Sequence, residues 1–322
     1  MGMIDTVTKE FISDNEVFAD VVNFFVFKGE KVVMPSDLVE MDSTAISVPY
    51  GTDTSGTPVQ KQRDVIKNIC YKGYSDMVFA IFGVENQTTV NYAMPVRNML
   101  YDALTYTGQV EKANQSYRKD NTKLTNEEFL SHWRKTDKLI PVITLVINFS
   151  NKKWDAPMSI YDMMDFKNDI IKTLIPDYHI NIIEPASLSK EQLKMFSSGL
   201  REVMECIKYS EDMHKMREAF AENKRFECLD RKTANVIRYC SNINIDYDNN
   251  EEVINMCKAF EDYKSEGRIE GKLEGRIEGK LEGKQEMAIQ FANYLIAENK
   301  SISEIAQLTG LSVEIISGLK NS

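Results

Sequence analysis

The segment Met77-Val-Phe-Ala-Ile-Phe-Gly-Val-Glu-Asn-Gln-Thr-Thr-Val-Asn-Tyr-Ala-Met-Pro-Val-Arg-Asn-Met-Leu-Tyr-Asp-Ala-Leu-Thr-Tyr106 decides the fold. Its first part, Val78 to Val84, is apolar on both faces of an extended chain, because successive side chains alternate. Phe79 and Ile81 share one face with Glu85 and Gln87; Val78, Ala80, Phe82 and Val84 take the other, as does Asn86. A strand apolar on both faces is an interior strand. A carboxylate at its end is costly to bury unless a cation or hydrogen bonds compensate it. Glu85 therefore calls for a partner, and a metal ion is one candidate.

Upstream, Gln60 to Tyr71 suits a second short strand carrying Asp64, flanked by Arg63. If the two strands are neighbours, Asp64 and Glu85 converge on one divalent cation. Hard cations such as Mg²⁺ accept a few carboxylates, a backbone carbonyl and several waters. The Asn86 carbonyl is the natural third ligand, and Gln87 is placed to orient a water or a phosphate. Downstream, Pro95 opens a helix, since its missing N–H had no intrahelical partner there. Val96, Met99, Leu100, Ala103 and Leu104 supply the buried face. Arg97 and Tyr101, four residues apart, share another face: either Arg97 meets a phosphate at the cleft, or it is an exposed arginine stacked on Tyr101.

The run GVENQTTVNYAMPVRNMLYDALTY, with RDVIKN before it and KLIPVITLVINFS after it, resembles the recombination-promoting nuclease family, also described as transposases, of the PD-(D/E)XK nuclease superfamily. The resemblance covers roughly residues 14–210. It implies a restriction-endonuclease-like α/β core, with a central mixed sheet flanked by helices, and a Mg²⁺-dependent endodeoxyribonuclease with DNA as partner. It carries catalytic and metal-site roles onto Asp64, Glu85 and Gln87. Gln replaces the Lys of the wider superfamily, so transition-state charge must be met by the metal or by a nearby Arg or Lys. That replacement keeps open a second reading, a degraded nuclease fold that binds nucleic acid or assembles without cutting. Strand transfer rests on the family label alone.

Composition bounds these readings. The 322 residues carry a net charge of −10. Non-specific coating of DNA is excluded as the main activity; contact must rest on a local positive groove or on metal. The five cysteines lack CxxC spacing, which favours reduced thiols over zinc ligands. The start MGMIDTVTKEF has neither the basic opening nor the apolar core of a signal peptide, and no apolar run reaches membrane-spanning length, so a soluble, cytoplasmic protein is expected.

Elsewhere the reading is coarser. Asp14 caps an expected first helix with Val17, Phe18, Val21, Val22, Phe24 and Phe25 as its apolar face. Glu16 and Asp20 on its flank are either an additional acid for the metal site or a solvated edge. Residues 34–38 read as a connector, 44–50 as a strand and 51–58 as a loop. Residues 111–138 read as a polar stretch without a clear period, whose Lys112, Arg118, Lys119 and Lys123 line a DNA groove or merely face solvent. Residues 139–149 and 178–183 read as strands, and 189–210 as one helix capped by Ser189. The expected domains are a nuclease-like unit (1–210), a helical extension (211–264), a Glu-Gly repeat (265–285) and a helix-turn-helix-like tail (286–322). In the repeat, Gly recurs at every fourth residue, which predicts a weak helix or flexible spacer, or an arm for homodimer pairing. The last helix offers few base-reading side chains, favouring packing or pairing over sequence reading.

Overall fold

The structure is a computed structural model that describes residues 2–41, 44–47, 59–62, 64–71, 74–241 and 252–321. It divides into two compact units, Met1–Cys257 and Lys258–Ser322.

The first unit opens with α1 (Met3–Ser13) and α2 (Asn15–Phe27), separated by Asp14. Asp14 caps α2 as expected, its side chain accepting from the Glu16 N–H. After a 3₁₀ turn at Pro35–Asp37 come β1 (Leu38–Glu40), the pair β2 (Thr44–Ser47) and β3 (Val59–Gln62), then β4 (Val65–Tyr71) and β5 (Tyr74–Gln87). A 26-residue helix α3 (Met94–Lys119), short α4 (Asn126–Ser131), β6 (Val142–Asn148), short α5 (Asp169–Leu174) and β7 (Asn181–Ile183) follow. The main sheet has the order β1-β4-β5-β6-β7. β1, β4 and β5 pair antiparallel, while β5, β6 and β7 pair parallel. The protein is thus α/β, with a five-stranded mixed sheet flanked by helices.

The two apolar faces of β5 acquire different covers. Phe82 meets Phe18 of α2 edge-on, with ring centroids 6.2 Å apart. Lys67, opposite Phe82 in the ladder, is only 2 % exposed. Its ammonium donates to the Ser13 carbonyl at 2.6 Å and to the Asn15 side chain, tying the α1–α2 junction to the sheet. The opposite face, that of Ile81, Gly83 and Glu85, lies under α3. There Met94 packs with Val146 and Ile180, and Tyr106 packs with Ile66, Ile81 and Val142. The Tyr106 hydroxyl also accepts from the Val142 N–H at 3.0 Å.

Several expectations are corrected. Residues 34–38 hold a 3₁₀ turn and the start of an edge strand, because Leu38 to Glu40 pair with Lys67 to Ile69. The polar stretch after Glu111 is not loop throughout: α3 continues to Lys119, and a Thr125 capping box starts α4. Lys112, Arg118, Lys119 and Lys123 are exposed. The single helix expected over 189–210 is two, α6 (Lys190–Leu193) and α7 (Leu200–Tyr209). The break falls at Ser197-Ser198, where the chain is held by Asp20. Beyond residue 210, α8 (Met213–Glu222), β8 (Leu229–Asp230), α9 (Arg231–Cys240) and β9 (Val253–Ile254) belong to the first unit.

From Met256 the chain enters α10 (Met256–Ala297), continuous through the Gly repeat. α11 (Ile302–Thr309) is capped by Ser301 and ended by Gly310 in the left-handed region, φ 72°. α12 (Val313–Asn321) closes the second unit. Its core joins Ala292 and Leu295 of α10 to Ile305 and Ile316. Among the described residues no helix is long and apolar enough to cross a membrane.

Candidate active site

Glu85 sits at the C-terminal end of β5, where the ladder to β4 ends with Val65 opposite Val84. Asp64 comes one residue before that last pair, at the same end of the sheet as Glu85. Asp64 is not itself in a strand, as expected from the sequence, but in a bend ahead of β4. Its Oδ2 accepts from the Asn86 N–H at 2.9 Å, which fixes the carboxylate against the end of β5.

Glu85 is fully buried, and Arg97 of α3 reaches it with Nη2 3.0 Å from Oε2. One turn along α3, the Tyr101 hydroxyl accepts from Arg97 Nε at 3.2 Å, with the guanidinium also near the ring face. Arg97 is thus neither simply exposed nor free: it is half-buried beside Tyr101, lines the cleft and is ion-paired to Glu85, a partner that neither expectation named. Gln87 does not point freely outward. Its Nε2 donates to the Asn86 carbonyl at 2.8 Å, the same oxygen expected as a metal ligand.

Asp5, Asp64, Asn86, Gln87, Thr88, Thr89 and Arg97 line a cleft of about 240 Å³. Burial raises the Asp64 pKa; the Asn86 N–H bond and the Arg97 and Lys9 charges pull it down, and Asp5 adds a further upward push. Burial works against the Arg97 cation, yet Glu85 and Tyr101 hold its pKa above the usual arginine range. Burial and the Glu85 charge raise the Tyr101 hydroxyl.

Glu16 and Asp20 are not brought to this cleft. They line a separate one with Asn23, Lys31, Ser197 and Ser198. Asp20 is used locally, accepting from the Ser197 and Ser198 N–H groups at 2.8–3.0 Å and from both hydroxyls. The acid that the N-terminal helices do bring is Asp5 of α1, with Lys9 four residues on. Sequence reasoning missed both because it examined the opening residues only for a leader peptide. The signal was Ile4, Val7, Thr8, Phe11 and Ile12, an apolar helical period that leaves Asp5 and Lys9 together on another face. Arg63 lies outside the described residues.

Among the described residues no group of three or more His, Cys, Asp or Glu is placed to hold a metal. A cation at Asp64 and Glu85 would draw its remaining ligands from carbonyl and water oxygens, a set that Mg²⁺ accepts. Set against family models, curated proteins and solved structures, the chain matches none.

Proposed function

We propose that this protein is a Mg²⁺-dependent DNA endonuclease with a restriction-endonuclease-like core. The observation that carries the reading is Asp64, held by the Asn86 N–H at the end of β5 that buried Glu85 occupies, beside a polar cleft lined by Asp64 and by Arg97, the ion-pair partner of Glu85. Asp64, Glu85 and the Asn86 carbonyl would hold the cation. Bound there, it supplies an acidified water and charge neutralisation at the phosphodiester. The chain's own part is positioning. The Asn86 N–H orients Asp64, and the Gln87 amide orients the Asn86 carbonyl. Thr88 and Thr89 offer hydroxyls to phosphate oxygens. Arg97 and Lys9 bring the positive charge that Gln87, in the usual lysine position, lacks.

A second reading, a nuclease-like fold that binds without cutting, is favoured by one observation: Arg97 already neutralises Glu85. Incubation of purified protein with supercoiled plasmid separates the two. Nicked or linear product in Mg²⁺, and none in EDTA, is the expected result. Intact plasmid in both, with retention of DNA in a binding assay, would establish the second reading instead.

A further inference from the structure

The repeat within α10 carries a row of large apolar side chains that its own unit does not cover. Leu273, Ile277 and Leu281 are 57 %, 60 % and 67 % exposed. They recur every fourth residue along the helix and so form one slowly winding stripe. Each helical residue turns the chain by about 100°. The residue before each stripe position therefore lies on one flank and the residue after it on the other. On the first flank stand Lys272, Arg276 and Lys280; on the second stand Glu278 and Glu282. Gly275, Gly279 and Gly283 fall on the back of the helix, and a Cβ added at any of them meets nothing within 4 Å.

This arrangement distinguishes between partners. Two such helices placed side by side in parallel, with their stripes facing, are related by a two-fold axis along the pair. That operation sets the acidic flank of one helix against the basic flank of the other, on both edges of the contact. Turning one helix end for end sets acid against acid and base against base. Charges flanking an apolar seam choose partner and orientation in this way in paired helices generally. A four-residue period exceeds the 3.6 of the helix, so the stripe calls for a right-handed wrap.

We infer that the exposed face of α10 is a self-association surface, and that its occupant is the same face of a second copy of this chain, in parallel orientation. The inference stands independently of the nuclease reading.

Sedimentation velocity of the full chain at micromolar concentration tests it. Wild type should sediment as a dimer. Leu273→Asn/Ile277→Asn/Leu281→Asn should weaken the dimer by about two orders of magnitude or more. Gly275→Ala/Gly279→Ala/Gly283→Ala should leave it intact, since the back of the helix makes no contact. Glu278→Lys/Glu282→Lys should be monomeric alone and should pair when mixed with Arg276→Glu/Lys280→Glu. For orientation, Leu273→Cys alone and Leu281→Cys alone should each form a reducible cross-linked dimer absent from wild type. A monomeric wild type, a dimer indifferent to the asparagine substitutions, a dimer broken by the alanines, or cross-linking only between the two cysteine variants would each overturn the proposal.

Discussion

At the scale of single residues, the candidate site is a balance between two carboxylates and one guanidinium. Asp64 illustrates the cost. Its pKa is raised, so the folded protein holds that proton more tightly than the unfolded chain does. Below the ordinary carboxylate value both states are protonated and nothing is lost; as pH rises through the raised folded value, ionisation costs stability. Asp64→Asn should therefore melt higher than wild type at neutral pH, the gain shrinking to nothing as pH falls to the ordinary carboxylate range. Melting curves across that range check this, and a gain that grows toward acid pH contradicts it. Mg²⁺ should raise the melting temperature of wild type and leave that of Asp64→Asn unmoved. Arg97 has the opposite character. Arg97→Met withdraws a cation from fully buried Glu85, at a cost of about 1–3 kcal/mol, less than for a wholly buried pair because the arginine is partly exposed. Urea unfolding measures it; an unchanged midpoint would show that other contacts of Glu85 suffice.

At the scale of elements, two glycine positions behave oppositely. Gly199 precedes α7, and a Cβ there would collide with Thr233 of α9, itself bound to Asp230. Gly199→Ala should cost about 1–3 kcal/mol by overpacking the α7–α9 contact. Gly275, Gly279 and Gly283 have open space, so Ala at each should add up to about 1 kcal/mol of helix propensity. Circular dichroism and denaturant titration of the two sets should move in opposite directions. The interior strands β5 and β6 were legible because both are apolar on both faces, and the start of α3 because proline suits a helix N-terminus. The buried face of α3 was not, since Met94, Asn98, Tyr101 and Asp102 turn inward while the expected Val96, Met99, Leu100 and Ala103 are exposed. The closeness of Asp64 to the end of β5 was legible as well, although Asp64 lies in a bend, where strand alternation does not set its side chain, and is held by the Asn86 N–H. Less was legible where tertiary contacts decide. Asp20 looked like a helix-edge acid because Ser197 and Ser198, which it binds, lie about 180 residues away. Arg97 reaches Glu85 only because α3 crosses over β5, a geometry that neither segment states alone. The 3₁₀ turns and short helices after residue 150 lack a sustained period.

At the scale of the whole molecule, the proposed activity would bring an acidic chain with a net charge of −10 to a polyanion. Without a divalent cation, repulsion opposes the encounter, and only Arg97, Lys9 and any local basic residues favour it. DNA binding followed by fluorescence anisotropy should be weak in EDTA, stronger in Ca²⁺, and should fall with added salt. Tight, salt-insensitive binding in EDTA would point to recognition elsewhere on the surface.

The most direct test is the Mg²⁺-dependent plasmid-cleavage rate of Glu85→Gln beside that of wild type, with the fold of both checked by circular dichroism. Gln keeps the shape of Glu85 and its reach toward Arg97 but not the charge that a hard cation requires. Arg97, left without its ion pair, is exposed enough to be hydrated, so stability should change by no more than about 1 kcal/mol. The account predicts that wild type cuts and that Glu85→Gln, equally folded, cuts at least about a hundredfold more slowly, as expected for loss of a direct metal ligand when outer-shell losses alone reach that size. Cleavage by Glu85→Gln at the wild-type rate would contradict the assignment of Glu85.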